Sequence, residues 1–262
     1  MTTTWARRTG LLVLIGAATA GLTACGGVVG ATLTYNDTEK TKITEIRLTG
    51  GSGDVAITTA DVTETTIKRV IRNSSDPGDS YRLQGSTLFL DTSCGVDCSV
   101  SYEVKAPAGV AVRGDLRSGD VSLSGAGATD VHLTSGDINV VDAAGPVALR
   151  ATSGDIRVVN AKDKVTVQST SGDVDVLDAA GPLDLKLTSG DIDAVLTTVT
   201  DVKAQTTSGD VNVRVPQGKY RISTSSSGSG DAEVQRLTND PTAKNSIDLR
   251  TSSGDATLIA TP

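Results

Sequence analysis

Aromatic and imidazole side chains are almost missing from this chain. Its 262 residues include one Trp, one Phe, four Tyr and a single histidine, His132. So few rings argue against a platform on which sugars or bases would stack. Zinc sites want four ligands, and the one histidine lies far along the chain from the nearest cysteines, Cys94 and Cys98; the strand around it, Asp130–Leu133, reads as surface. Basic residues number 24 against 31 acidic ones, for a net charge of −7. That balance argues against nucleic acid and against attraction to anionic lipid. No P-loop, dinucleotide fingerprint or Ser/His/Asp triad occurs.

Glycine, by contrast, is abundant, with 28 copies, and much of it sits in one recurring tripeptide. Ser-Gly-Asp occurs nine times: Gly53-Asp54, Gly119-Asp120, Gly136-Asp137, Gly154-Asp155, Gly172-Asp173, Gly190-Asp191, Gly209-Asp210, Gly230-Asp231 and Gly254-Asp255, each after a serine. From Ser118 to Ser208 the steps are 17, 18, 18, 18 and 19 residues. A fixed period of this size marks a solenoid, in which one short unit stacks on the next.

The residue after each aspartate is apolar in all nine copies, from Val55, Val121 and Ile138 to Ala256. So is the residue two further on, from Ile57 to Leu258, with a mostly polar residue between. Period-two alternation predicts a strand with one buried face, and the β-branched inward positions favour strand over helix. A weaker beat falls halfway, where Asp142-Ala-Ala-Gly-Pro146 recurs as Asp178-Ala-Ala-Gly-Pro182. After these half-way turns come the pairs Val147/Leu149, Val165/Val167, Leu183/Leu185 and Val202/Ala204. The expected fold is therefore all-β: a parallel, flattened β-solenoid of ~18-residue rungs, two strands per rung, with a Val/Ile/Leu interior. The general crossover rule favours a right-handed coil.

Within each tripeptide, glycine supplies positive φ at a corner, and serine and aspartate can bond nearby backbone N–H groups. Stacking would line the aspartates up ~4.8 Å apart. Neighbouring carboxylates at such range repel by about 1 kcal/mol in water. Backbone hydrogen bonds could offset this, as could a bound cation, and calcium suits oxygen ligands of this kind. The denser nine-residue repeat of calcium-binding β-rolls is absent.

Many β-helix proteins cleave polysaccharides, which requires acid and base groups held in a cleft. The acidic pair Asp175 and Asp193 falls in the outward column and reads as a solvated face, with Arg157 placed to pair with Asp175. A glycan-active enzyme is thus the weakest reading, and no catalytic or metal-ligating residue is assigned.

The N-terminus has the order of an export signal. Basic Arg7 and Arg8 precede an apolar stretch, Leu11–Ala20, too short to span a bilayer. Leu22-Thr23-Ala24-Cys25 follows and resembles the lipobox of bacterial lipoproteins. That resemblance implies removal of residues 1–24, acylation of Cys25 with diacylglyceryl and palmitate-type chains, and anchoring to the outer face of the cell membrane. Setting Cys25 aside leaves Cys94 and Cys98, which predict a disulfide in an exported protein. Bridging residues so close requires a turn, which Gly95-Val96-Asp97 could make at the tip of a small hairpin.

The organisation expected is a tether over 25–39, an irregular N-terminal β cap over 40–110, and the repeat solenoid over 111–262. Between Ser52 and Ser118 the period is interrupted by an excursion of 66 residues. Strands are predicted there at Val55–Thr59, Thr65–Arg72, Ser86–Asp91 and Val100–Lys105.

The run Val100-Ser-Tyr-Glu-Val-Lys-Ala-Pro-Ala-Gly109, followed by Val110 to Ser124 with its Ser118-Gly119-Asp120, resembles the putative-adhesin family of bacterial β-strand-repeat proteins. The resemblance covers roughly residues 40–260 and implies surface display, with no catalytic residues to transfer. The expected function is a lipid-anchored, non-catalytic envelope protein that meets another envelope protein or a wall polymer. An accessory or sensory subunit of a membrane system, bound through 40–110, is the alternative.

Overall fold

The computed structural model describes residues 32–73, 81–95 and 98–261, all of them strand, turn or loop, with no helix among them. The N-terminal part comprises β1 (Thr32–Glu39), β2 (Glu45–Ser52), β3 (Val55–Ala60), β4 (Thr65–Arg72), β5 (Tyr81–Gln84), β6 (Thr87–Asp91) and β7 (Ser99–Pro107). Paired rungs follow as β8 (Ala111–Ser118) with β9 (Val121–Ser124), β10 (Thr129–Ser135) with β11 (Ile138–Val141), and β12 (Val147–Ser153) with β13 (Ile156–Val159). They continue as β14 (Val165–Ser171) with β15 (Val174–Ala179), β16 (Leu183–Ser189) with β17 (Ile192–Leu196), and β18 (Val202–Gln205) with β19 (Val211–Val215). The chain closes with β20 (Tyr220–Ser229), β21 (Ala232–Gln235), β22 (Asn245–Ser253) and β23 (Ala256–Ala260).

These strands form two sheets, of 12 and 11 strands, parallel except near the N-terminal end. Each Ser-Gly-Asp is the corner at which the chain leaves one sheet for the other. The inner columns are those read from the alternation. Ile138 pairs in register with Ile156 and Ile156 with Val174, and none of the three is more than 1% exposed. On the facing sheet Val147, Val165 and Leu183 stack in the same way, all buried. Where an inner column turns polar, the side chain closes on the corner backbone: Thr206 Oγ1 donates to the Gly190 carbonyl at 3.2 Å and Thr251 Oγ1 to that of Gly209 at 2.9 Å. These two buried hydroxyls thus keep partners, unlike those of Thr65 and Thr92 near the N-terminal end, which find none among the described residues.

The expectation that successive coils pile up in chain order fails at both ends. At the C-terminal end β22 lies between β18 and β20, and β23 between β19 and β21. The rung with Ser229 is therefore outermost, although it precedes the rung with Ser253 in the chain. At the N-terminal end β6 and β7 pair in parallel with β2 and β3, whose other side meets β8 and β9. The excursion between Ser52 and Ser118 supplies this extra rung and its cover. The physical reason is that both edges of a parallel rung offer the same N–H and C=O pattern, so the next segment can pair on either side.

Beyond β7 the direction reverses, with β4 antiparallel to β7, β1 antiparallel to β4 and β5 antiparallel to β6. Strand β1 shortens the expected tether, since residues 32–39 are sheet rather than linker. The expected lipidation site, Cys25, lies outside the described residues.

Candidate functional site

The tripeptide edge is the most regular feature of the surface. All nine corner glycines have φ between 102° and 143°. A Cβ on Gly154 would strike the carbonyl of Gly136 beneath it, and the same holds from one corner to the next. Glycine is required here both for conformation and for the close approach of stacked corners.

The aspartates solve their own repulsion. Asp120 N–H donates to Asp54 Oδ1 at 3.1 Å, Asp137 N–H to Asp120 at 3.0 Å, and Asp155 N–H to Asp137 at 2.9 Å. The pattern continues through Asp173, Asp191 and Asp210 to Asp255 at 2.7–2.9 Å, and ends where Asp231 N–H donates to Asp255 Oδ1 at 2.8 Å. Each tripeptide carboxylate but that of Asp231 thus accepts a backbone N–H from the layer above it, and charge-assisted bonds of this kind are the strong ones. The ladder begins at a hydroxyl, because Asp54 N–H donates to Ser101 Oγ at 3.1 Å. Of the two ways to offset the repulsion that the sequence left open, backbone hydrogen bonds or a cation such as calcium, these bonds are the first. One oxygen of each bonded carboxylate is already engaged, and among the described residues no group of three or more His, Cys, Asp or Glu gathers as a metal site.

Cys94 and Cys98 are bonded, with Cα atoms 5.5 Å apart, and their partly buried side chains pack against the core. They sit in the connection from β6 to β7, on the same edge as the tripeptides, so the staple closes a corner between the two sheets and not a hairpin tip. Val96 and Asp97 of the predicted turn lie outside the described residues. Ser99-Val100-Ser101 occupies the level where inner rungs carry Ser-Gly-Asp, since Val55 pairs with Tyr102.

The outer sheet faces carry polar columns. Arg157 Nη1 lies 3.3 Å from Asp175 Oδ2, and His132 Nδ1 lies 3.3 Å from Asp115 Oδ1 on the exposed face of β10, where a surface histidine was expected. Asp175 and Asp193 are neighbours in the outward column. Burial first, then Asp175, pushes the Asp193 carboxyl up, and Arg214 partly counters both.

Sequence reading missed an aliphatic stripe beside that column. Val141, Val159 and Leu177 are half-buried and stand in register on the outer face, with Val195 beyond a bulge. The signal was in the doubled apolar pairs Val140-Val141, Val158-Val159 and Val176-Leu177, which break strict alternation. The half-way corners also differ from expectation. The left-handed residues there are Asp142, Asn160 and Asp178, with φ of 56–57°, and not the glycine of Ala-Ala-Gly-Pro. Gly145 and Gly181 instead give room for the backbone of the rung below.

The two ends present different surfaces. At the N-terminal end Arg69 points inward, 8% exposed, with its guanidinium 4.5 Å from the Tyr35 ring and 5.8 Å from that of Tyr81. Tyr102 stacks on the core side of Arg69 and donates its hydroxyl to the Asp91 carbonyl at 3.0 Å. Burial, then Asp37 and Glu39, pushes the Tyr81 phenol above its ordinary range, with Arg69 opposing. At the C-terminal end a slot of about 450 Å³ opens between the sheets, lined by Ile222, Thr224, Val234, Leu237 and Asn239.

The family model described as Toastrack DUF4097 matches residues 35–178 and again 161–259. Among solved structures, the chain is similar to a putative adhesin from Bacteroides fragilis, at 13% identity over 88% of this chain and 97% of that one, TM-score 0.46. It is also similar to a putative cell adhesion protein from Clostridium sporogenes, at 11% identity over 88% and 100% of the two chains, TM-score 0.30. A putative adhesin from Parabacteroides merdae gives 10% identity over 88% and 96%, TM-score 0.36. No curated protein matches the chain.

Proposed function

The chain belongs to the Toastrack DUF4097 family, and on that premise we propose an exported, lipid-anchored envelope protein whose solenoid acts as an adhesin-like binding module without catalysis. The observation that carries this reading is the pair of outer faces. Polar side chains repeat in register from layer to layer, Asn139, Arg157 and Asp175 down one sheet, beside the Val141 stripe, and Arg150, Gln168 and Lys186 down the other. A rigid surface with one spacing repeated many times suits a partner that is itself extended, such as a wall polymer or an elongated protein. Many weak contacts then add on a single body. Anchoring rests on Leu22-Thr23-Ala24-Cys25 and the apolar stretch before it.

A second reading, an accessory or sensory subunit of a membrane protein, draws on the 40–110 region. There half-buried Phe89 lies between Arg47, 6.0 Å from its ring centre, and Arg82, 4.5 Å from it, the kind of aromatic and arginine cluster that anchors protein contacts.

Crosslinking mass spectrometry on intact cells separates the two. Crosslinks spread along β8–β19 to wall material or many proteins support the first reading, and one stoichiometric membrane partner at 40–110 replaces it with the second. Processing is checked by labelled palmitate, which the wild-type chain should incorporate and the Cys25→Ala variant should not. The processed protein should also lack tryptophan fluorescence, because Trp5 is the only tryptophan. Retained Trp5 emission with no label would remove the lipid anchor from the account.

A further inference from the structure

The outermost C-terminal rung, β20 with β21, is unfinished in three independent respects. Every other tripeptide carboxylate, Asp54 through Asp210 and Asp255, accepts an N–H from the layer above, but among the described residues that of Asp231 accepts none. The second respect is the strand edge. Asn239 and Asp240 start one more layer: Asn239 Oδ1 accepts the Ile222 N–H at 2.9 Å, and Asp240 N–H donates to the Tyr220 carbonyl at 2.9 Å. Asp240 then turns the chain away, its carboxylate accepting from the Thr242 hydroxyl at 2.6 Å and from Thr242 N–H at 2.9 Å, and these bonds hold its pKa low. Alternate residues of a strand aim N–H and C=O to one side, so Thr224 and Ser226 aim theirs where Tyr220 and Ile222 do, past the point where Asn239 and Asp240 stop. Third is the slot, in which Val234 is 37% exposed although Leu258, one layer inward, is fully buried.

We propose that this end receives one rung-like segment of another polypeptide: a strand, a glycine corner and a second strand with alternating aliphatic residues. Its first strand pairs with β20 beyond Asn239, its corner N–H meets the Asp231 carboxylate, and its aliphatic side chains fill the slot between Ile222 and Val234. Glycine at the corner follows from the column itself, because a Cβ at each internal corner would strike the carbonyl beneath. The edge admits such a strand, since β20 carries a single charge, Arg221, and no proline, two of the devices that protect edges elsewhere. Strand addition of this kind draws affinity from main-chain bonds and selectivity from alternate side chains. A whole second copy offers no free rung, because its other tripeptide rungs are flanked on both sides and its N-terminal end is closed by antiparallel β1 and β5.

The inference rests on the reading of the chain as a binding module and assigns that role to one surface. The probe is a fluorescein-labelled synthetic peptide of residues 183–196, one internal rung, titrated against the full chain and followed by anisotropy. Saturable binding is expected, with a loss of about tenfold or more when the peptide carries Gly190→Val, and a similar loss when the protein carries Thr224→Pro. Thr224 N–H is on the open side, so proline there leaves the bonds to β22 in place. If Thr224→Pro melts early, Val234→Lys, which sets a charge in the slot, must give the loss instead. No saturable binding at ~1 mM peptide, or equal binding by both peptides or by the variants, overturns the proposal. Sedimentation showing a dimer that Thr224→Pro abolishes also overturns it, by assigning the edge to a second copy. Envelope crosslinks along β8–β19 without peptide binding would sink this inference and leave the broader function standing.

Discussion

At the N-terminal end the inner column runs from Tyr102 through Arg69 to Tyr35, while at the C-terminal end it stops at Ile222 and Val234. The first end reverses strand direction, buries a guanidinium between rings and ties its last corner with Cys94–Cys98. The second is the same parallel rung as those beneath it, cut off. The difference shows what stopping a solenoid requires. A parallel rung exposes an edge identical to every edge inside the stack, so nothing in the repeat itself ends it. Closure needs bulk in the interior and strands that run the wrong way.

The largest expected contrast comes from removing bulk at each end. Tyr102→Ala should cost about 3–5 kcal/mol, because a buried ring leaves a cavity between Arg69 and the core. Ile222→Ala should cost less than about 1 kcal/mol, because its side chain already borders solvent. Denaturant unfolding of both variants tests this, and equal losses would erase the distinction between the ends. Next in size is the staple. Replacing Cys94 and Cys98 by serine should cost about 2 kcal/mol, the loop-closure value for so short a ring. Hydrogen exchange should speed up in β6 and β7 and stay unchanged in β20–β23, and uniform acceleration would break the idea that the staple serves one end.

The smallest effect is electrostatic. Burial raises the phenol of Tyr81 at one end and of Tyr220 at the other, but only Tyr81 has carboxylates, Asp37 and Glu39, adding to the rise. A phenol whose folded pKa lies above its unfolded one holds its proton in the fold while the unfolded chain releases it. Its stabilising contribution is therefore complete below pH ~10 and is lost as pH climbs through the folded value. Ultraviolet titration should show Asp37→Asn lowering the Tyr81 midpoint and leaving Tyr220 where it was. Added salt should also lower the Tyr81 midpoint, by less, since screening weakens the two carboxylate contributions together with the smaller opposing one of Arg69.

Much of the middle of the molecule was legible from residue types. The Ser-Gly-Asp corners, the buried pairs from Val55/Ile57 to Ala256/Leu258, all but the exposed Ala232/Val234, and the strand Thr65–Arg72 follow from alternation and glycine geometry. Spatial order at the ends was not, because parallel pairing leaves a new segment free to join either edge. Arg69 was hidden for another reason: alternation in β4 placed it inward, but a charged residue reads as outward unless its aromatic partners on β1 and β5 are known. Of the tripeptide edge the sequence held the problem, carboxylates in a column, without the answer. The bond from each Asp N–H to the neighbouring carboxylate depends on a register that only the stacked backbone defines.

The inside-out order of the C-terminal rungs bears on synthesis. Residues 245–260 leave the ribosome after residues 220–235, yet they form the layer on which the earlier residues rest. A chain cut short after residue 244 would leave β20 and β21 without the layer on which they rest, facing the vacant edges of β18 and β19 instead. The molecule therefore postpones finishing its far end until that late stretch has been made and has taken its place between the earlier strands.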